Sequence, residues 1–329
     1  MTIMSTVKHI AIDAGKRSTK VVYELPQAKH SQEISFPTAI AAGEDYTTDP
    51  NSHILLYEGE SYLVGEQAIS NAEIDMDNSK NNDIHKICIL TALGLAFKSG
   101  TTVEAVIGIP LDLYMDRNEK KQYKDNMLPD GQVEFTLDGQ AKKYTISKTI
   151  IRPEGYGAVY NRMDDIEDTT INVVDIGGLN VNACEYRMGI MQELTRKTFQ
   201  MGGKYLYHQS LEAIKKAVDD DTRKRMQNYT DEDFENYVVK GKFNKIPESE
   251  EIFKKVRLRL VKDIKNNILS GKNKLSLTND TYFIGGTSYL LREEIKEVFG
   301  EEYCKFCADN YDDMIMANAR GFYKLLINE

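Results

Sequence analysis

The chain has no tryptophan, four cysteines and seven prolines in 329 residues. Four cysteines (Cys88, Cys184, Cys304 and Cys307) in a chain of this length exclude a disulfide scaffold, and a cytoplasmic setting is the expectation. No apolar run approaches the roughly 20 residues that cross a bilayer, so no membrane partner is expected. The first residues lack the basic-then-apolar layout of a secretory leader. Basic residues are in deficit, with 42 Lys and Arg against 51 Asp and Glu and a net charge of −9. Contacts along a nucleic-acid backbone need clustered Lys and Arg, so direct binding of DNA or RNA is disfavoured. Metal-ligand patterns are also scarce. Cys304-Lys-Phe-Cys307 is a single pair without a second pair or nearby histidine, and both cysteines are expected on a helix rather than on zinc. There is no Walker A sequence and no nucleophile elbow.

What the chain does have is ordinary globular composition, 41% apolar and 28% charged, and a length that favours two domains. Three stretches combine an apolar strand with a glycine turn. Residues 9–15 end in Asp13-Ala-Gly15 and are followed by a second strand at 18–23. Residues 171–178 end in Asp175-Ile-Gly177-Gly178 and are followed by a strand at 180–186. Both read as β-hairpins, because β-branched and aromatic runs flank the turn. The third stretch, 281–287, runs through Gly285-Gly286-Thr287 into a single helix to residue 299, with Leu291, Ile295 and Val298 at helical spacing. The first two stretches match each other: aligning Asp13 with Asp175 also aligns Gly15 with Gly177 and Ser18 with Asn180. This points to two related halves, each giving one hairpin to a shared cleft.

Other segments read more simply. Residues 81–98 form a buried helix, 103–110 a central strand, and 133–151 alternate like strands. Residues 116–126 are a polar helix or loop. Residues 151–160 are a strand end entering a helix, and 163–170 an acidic loop near a domain boundary. Residues 206–275 are mostly helical, and the charge runs at 219–225 and 253–260 are solvated helix faces. Residues 312–326 form one terminal helix. Glycine lets backbone approach a ligand closely, so three such turns suit a phosphate cradle, and two carboxylates suit a hydrated Mg²⁺. Taken singly, each turn is a plain hairpin; together they favour the cradle.

These motifs resemble the actin/Hsp70/sugar-kinase ATPase superfamily, and most closely the bacterial plasmid-segregation actins of the ParM type. Asp13-Ala-Gly15-Lys-Arg-Ser-Thr-Lys20 is similar to the first phosphate loop, Asp175-Ile-Gly177-Gly178 to the second, and Gly285-Gly286-Thr287 to the adenosine motif. Arg152-Pro-Glu154-Gly and Ala317-Asn-Ala-Arg-Gly321 fall where the two connecting helices lie. The resemblance implies an α/β, actin-like (ribonuclease H-like) duplicated ATPase with a nucleotide cleft between its lobes. Domain I would span 1–165, with a small subdomain at about 36–79 and a C-terminal helix 312–329 returning to it. Domain II would span 166–311, with a small helical subdomain at about 206–274.

The resemblance also implies roles. ATP or GTP with Mg²⁺ is the expected ligand. Asp13 and Asp175 would hold the metal through water, and Glu154 and Asp175 would position the attacking water. Gly15, Lys16, Ser18, Thr19 and Lys20 would bind the β-phosphate side, and Gly177, Gly178 and Asn180 the γ-phosphate side. Gly202 and Gly203 would touch ribose and phosphates, and Gly285, Gly286 and Thr287 the adenosine. Lys16, Arg17 and Leu179 depart from the usual pattern. The expected function is a nucleotide-dependent filament that segregates plasmid DNA through a small DNA-binding adaptor. A small-molecule kinase of the same fold is the alternative; it should show a substrate motif, and none stands out.

Overall fold

The computed structural model describes residues 7–24, 30–43, 47–71, 80–162, 166, 168–226, 231–243 and 246–328. Parts of the expected subdomain at 36–79 (44–46 and 72–79) and of the acidic stretch 163–170 (163–165 and 167) lie outside the described residues. The chain divides into two compact units, Met1–Met163 with Ile315–Glu329, and Asp164–Met314.

The first unit is built on a nine-stranded sheet in the order β3-β2-β1-β7-β9-β8-β5-β6-β4. Its strands are β1 (Lys8–Ala14), β2 (Ser18–Tyr23), β3 (Gln32–Pro37), β4 (Ile40–Ala42), β5 (Ser52–Tyr57), β6 (Glu60–Gly65), β7 (Thr102–Ile109), β8 (Gly131–Leu137) and β9 (Gln140–Pro153). β1, β7 and β9 run parallel at the centre, whereas β2 pairs antiparallel with β1, placing Asp13 opposite Lys20. Central parallel strands are covered on both faces, which explains their continuous apolar runs. On one face Ile10, Ile12 and Ile107 pack with Ile87, Leu90 and Leu93 of the helix Asp83–Ala96. That helix starts where Asn82 accepts from the His85 N–H, a standard N-cap. Alternate residues Ala11, Val106 and Ile150 face the other way and meet Phe322, Leu325 and Leu326 of the terminal helix Tyr311–Asn328.

The small residues of the Ala317–Gly321 stretch have a packing cause. The short helix Tyr156–Tyr160 crosses the terminal helix so closely that a Cβ at Gly321 would lie 1.6 Å from the Gly157 carbonyl oxygen. Asn318 accepts the Gly157 N–H at 3.0 Å and thereby supplies a partner for the start of the short helix.

Four strands, β3 to β6, form within or beside the stretch read only as a small subdomain. β5 and β6 are joined by Glu58 and Gly59, both at positive φ (52° and 87°), the geometry of a two-residue hairpin turn.

The second unit holds a six-stranded sheet in the order β12-β11-β10-β14-β15, with β13 beside β11. These are β10 (Thr170–Ile176), β11 (Val181–Arg187), β12 (Ile190–Met191), β13 (Lys197–Phe199), β14 (Thr281–Ile284) and β15 (Cys304–Phe306). β10 and β11 are antiparallel, and β14 and β15 follow in parallel on the other side of β10. The sequence β2-β1-β7-β9 of the first unit thus recurs as β11-β10-β14-β15. Register recurs too: Asp175 lies opposite Asn182, seven residues on, as Asp13 lies opposite Lys20.

The helices Gly203–Ala217, Asp220–Met226, Asp231–Lys240 and Ser249–Leu269 lie between β13 and β14 in this unit. Leu206, Ile214, Phe253, Leu260 and Ile264 pack with Val174 and Ile176 of the sheet. Arg223, Lys224, Lys254, Lys255 and Arg259 are exposed, so these charge runs are solvated faces as their pattern predicts.

Two expectations are corrected here. The helix expected after Gly285 is two helices, Gly286–Leu290 and Arg292–Phe299, broken where Leu291 leaves helical geometry at φ −100°, ψ 11°. Cys304 is not helical but opens β15, with its neighbour Phe306 stacking on Phe283, and Cys307 follows the strand. The β-branched or aromatic neighbours needed to mark a strand are too few there to be read locally. Among the described residues, no helix is long and apolar enough to cross a membrane.

Candidate functional site

In the first unit the turn between β1 and β2 is held by its own backbone. The Gly15 N–H points to the carbonyls of Asp13 (3.0 Å) and Ser18 (3.1 Å). Space is tight as well: a Cβ there would lie 2.7 Å from the mobile end of Lys20, Nζ, and 3.0 Å from the Ser18 oxygen. Gly15 therefore shapes the turn and admits the Lys20 ammonium rather than offering its own N–H outward. Asp13 is 8% exposed, and its Oδ2 stands 3.9 Å from Lys20 Nζ. Beneath it lies Gly108 on β7, where a Cβ would press on the Phe322 ring at 3.2 Å and touch Asp13 Oδ1 at 3.5 Å, an ordinary contact. The Tyr123 hydroxyl donates to the Gly108 carbonyl at 2.9 Å. Burial, and then the nearby Glu154 and Asp13 carboxylates, push the Tyr123 phenol above its usual range, so it stays a neutral donor.

Glu154 follows the end of β9, and its N–H bonds the Ile109 carbonyl at 2.9 Å. Its carboxylate is paired with the Lys80 ammonium, which also donates to the Ala14 carbonyl at 3.0 Å. One buried lysine thus ties Glu154 to the residue that follows Asp13. Sequence reading did not find Lys80. It sits in a polar run ahead of a buried helix, 74 residues from its partner, and no local signal separates it from other lysines.

The other residues expected on this loop are placed differently from one another. Lys16, Ser18 and Lys20 are half-buried on or beside the turn. Thr19, by strand alternation, turns inward; it is fully buried and its hydroxyl hydrogen-bonds that of Thr38 at 2.8 Å.

The second unit repeats the turn and adds two helix starts. The Gly177 N–H points to the Asn180 carbonyl at 3.0 Å, the counterpart of the Gly15–Ser18 bond. Against this turn lie Gly202 and Gly203: the Gly202 N–H bonds the Leu179 carbonyl at 2.9 Å, Gly203 that of Gly177 at 3.0 Å, and Lys204 that of Gly178 at 2.8 Å. A Cβ on Gly202 would approach the Gly177 oxygen to 2.5 Å. Thr287 donates to the same Gly177 carbonyl at 2.9 Å. Gly285, at φ +88°, stands so near β10 that a Cβ would come within 2.6 Å of both Asp175 Oδ1 and the Ile176 oxygen. Asp175, Gly177, Gly202, Gly203, Gly285 and Thr287 therefore converge, with Gly178, Asn180 and Gly286 adjacent to them. Gly202 and Gly285 are the two positions where main chain leaves no room for a side chain, and Gly285 also needs the positive φ that glycine accommodates without strain.

Each unit therefore carries the same device: a strand ending in a carboxylate, a glycine turn closed on itself, and a returning antiparallel strand. Residues 11–157 match the family model described as the actin like proteins N terminal domain. No curated protein sequence matches the chain. Among solved structures, the chain is similar to the archaeal actin homologue Ta0583 in complex with ADP, with 18% identity, a TM-score of 0.74 and coverage of 98% of this chain and 99% of that one. It is similar to a non-polymerisable quadruple mutant of pCBH ParM, with 22% identity, TM-score 0.74 and coverage of 98% and 100%. It is also similar to Alp12 in its filament, with 25% identity, TM-score 0.70 and 98% of both chains covered. The chain has the actin-like fold, and the family match lies within it at residues 11–157.

Proposed function

We propose that the protein is an actin-like ATPase that assembles into filaments, and that these filaments segregate plasmid DNA through a small adaptor. The observation that carries the nucleotide part is the repetition of the Asp–Gly hairpin in identical register, Asp13 opposite Lys20 and Asp175 opposite Asn182. Lys20 and the turn at Gly15, Lys16 and Ser18 face the β-phosphate side of the nucleotide; the turn at Gly177, Gly178 and Asn180 faces the γ-phosphate. Gly202 and Gly203 lie toward the ribose, and Gly285, Gly286 and Thr287 toward the adenosine. Turns held in shape by their own hydrogen bonds, with a lysine and carboxylates beside them, suit phosphoryl chemistry, where catalysis is chiefly positioning and charge stabilisation.

Mg²⁺ fits the donor chemistry. Asp13 and Asp175 offer carboxylate oxygens, the ligands a hard cation prefers, and Lys20 at 3.9 Å balances the buried charge of Asp13. Among the described residues no group of three or more His, Cys, Asp or Glu could hold an ion by side chains alone, so water and phosphate oxygens would complete the shell. When bound, the ion neutralises charge on the phosphate oxygens. Glu154 and Asp175 orient the attacking water. ATP is the proposed nucleotide, with GTP as the competitor to be measured.

The filament part rests on similarity: Alp12 is described in its filament, and the pCBH ParM variant is described as non-polymerisable. Head-to-tail assembly uses a heterologous interface that does not close on itself. A net charge of −9 favours an adaptor over direct contact with DNA. A cytoplasmic location belongs to the same reading. Sedimentation and electron microscopy of the purified protein with ATP and Mg²⁺ test it: a nucleotide-dependent pellet of filaments is expected. A monomer at every concentration would overturn the filament, and rapid phosphate transfer to a sugar or acid would replace it with a kinase.

A further inference from the structure

Lys80 is 5% exposed, a rare state for an ammonium group. Burying a charge is costly unless it is paired and hydrogen-bonded, and Lys80 is both, through the Glu154 carboxylate and the Ala14 carbonyl at 3.0 Å. Its backbone adopts φ 53°, in the left-handed region that a long side chain seldom occupies. Neighbouring side chains hold the segment in that shape. Asn81 accepts from Asn126 at 2.8 Å, on the helix Arg117–Met127, and Asn82 caps the helix Asp83–Ala96. Three consecutive polar side chains are thus each committed to a different element. The fold maintains a strained backbone and a desolvated cation at one point, and that point joins the candidate water-orienting carboxylate to the candidate phosphate turn.

We propose that Lys80 is the positioning residue for Glu154: its ammonium fixes the carboxylate's rotamer and its distance from the Asp13–Gly15 turn, so that Glu154 orients water at the terminal phosphate. This rests on the nucleotide-hydrolysis reading above and deepens it. A purely structural ion pair would be worth little that an apolar pair of similar volume could not replace, since the desolvation of two charges offsets much of their attraction. The second hydrogen bond of Lys80, to the backbone of the phosphate turn, is what a structural pair would not require. It couples the carboxylate to the turn across a short, rigid link, and small displacements of a catalytic group are expensive in rate.

The test is steady-state hydrolysis of ATP·Mg²⁺ by the full chain, with the affinity for a fluorescent ADP measured separately. Lys80→Met is expected to lower kcat by about tenfold or more, with KM and ADP affinity within about twofold of wild type. Lys80→Arg, which keeps the charge, is expected to recover part of the rate. In a Glu154→Gln background the same Lys80→Met change is expected to cost little more, because two residues acting as one unit are not additive. If Lys80→Met does not fold, as judged by thermal unfolding, Lys80→Gln takes its place, since it keeps a donor but no charge. A kcat equal to or above wild type in the neutral variant, or a loss undiminished in the Glu154→Gln background, would overturn the positioning role alone. A wild-type chain that binds no nucleotide or fails to hydrolyse it would overturn the reading beneath it.

Discussion

Gly285 and Asp175 approach each other so closely that a single methyl group on the glycine would lie 2.6 Å from Asp175 Oδ1. The same methyl would meet the Ile176 oxygen at 2.6 Å, and the backbone there sits at φ +88°. Gly285→Ala therefore cannot be absorbed by a side-chain rotation alone, because one obstacle is main chain. The expected result is a folded protein with Asp175 displaced and nucleotide affinity reduced at least about tenfold, from a shift of about 1.4 kcal/mol or more. Titration with fluorescent ADP measures it, and an affinity equal to wild type would show that Asp175 does not serve the nucleotide.

Asp175 and Glu154 carry distinct expectations within the proposed reaction. Glu154→Gln keeps the shape of the side chain and removes the charge paired with Lys80. Turnover should fall by about 10² or more, the usual scale for losing a positioned acid–base group, while ATP still binds. Assembly in ATP should persist and disassembly should slow, since hydrolysis would be the step that weakens the lattice. Asp175→Asn should slow turnover and also raise the Mg²⁺ concentration needed for half-maximal rate. Phosphate release followed alongside light scattering distinguishes the two; unchanged turnover in Glu154→Gln would remove that residue from the mechanism.

The two hairpins were readable because everything that defines them is local. An apolar run, an Asp, a Gly and a second run lie within about fifteen residues, and pairing across a short turn follows from alternation. The equivalence of Asp13 with Asp175 was readable for the same reason, and it reappears as the shared seven-residue register. Contacts between distant segments were not readable. Lys80 meets Glu154 across 74 residues, and Gly157 meets Asn318 across 161. Their partners are chosen by topology, which a single sequence does not display. The inward turn of Thr19 belongs to this class: alternation gives it a side, but only the arrival of Thr38 on the neighbouring chain segment shows which side is buried. Of the strands β3 to β6, β4 has only three residues and half of β3 is exposed, which leaves little local signal, whereas β5 and β6 do carry one, with Ile54–Tyr57 and Tyr62–Val64 flanking Glu58-Gly59.

Gly321 and Gly157 give a prediction about stability rather than chemistry. A Cβ at Gly321 would sit 1.6 Å from the Gly157 oxygen, so the two helices must separate to admit it. Gly321→Ala should destabilise the protein by about 3 kcal/mol, the upper end for an overpacked contact. Gly94 is a contrasting control in the helix Asp83–Ala96. Its obstacles are side-chain ends rather than main chain, Leu137 Cδ2 at 2.7 Å and the Phe135 ring edge at 3.0 Å, and alanine gains about 1 kcal/mol of helix propensity. Gly94→Ala should change stability by less than about 1 kcal/mol, well under the loss at Gly321. Urea titration of both variants decides it; equal losses would mean that the crossing of the two helices is looser than the contact implies.

Alkaline pH should unfold the protein through groups that burial keeps protonated. Desolvation pushes the Cys88 thiol from its ordinary 9.0 up to about 12, and the Tyr144 phenol, which donates to the Phe97 carbonyl at 2.7 Å, from 10.0 up to about 12. In the unfolded chain both lose their protons at the ordinary, lower values. Raising the pH through 9 and 10 therefore ionises the unfolded state first and favours it. The contribution of these groups to stability is fully present below about pH 9 and is lost progressively toward pH 12. At pH 11 the Cys88 separation alone should cost about 2 to 3 kcal/mol relative to neutral pH, at 1.36 kcal/mol per pH unit. Cys88→Ala creates a small cavity and is less stable at pH 7, but it lacks this ionisation. Its deficit relative to wild type should therefore shrink as the pH rises from 7 to 10.5. Denaturant titrations of the two proteins at both pH values check this, and a deficit that stays constant would show that the Cys88 thiol is not held protonated by burial.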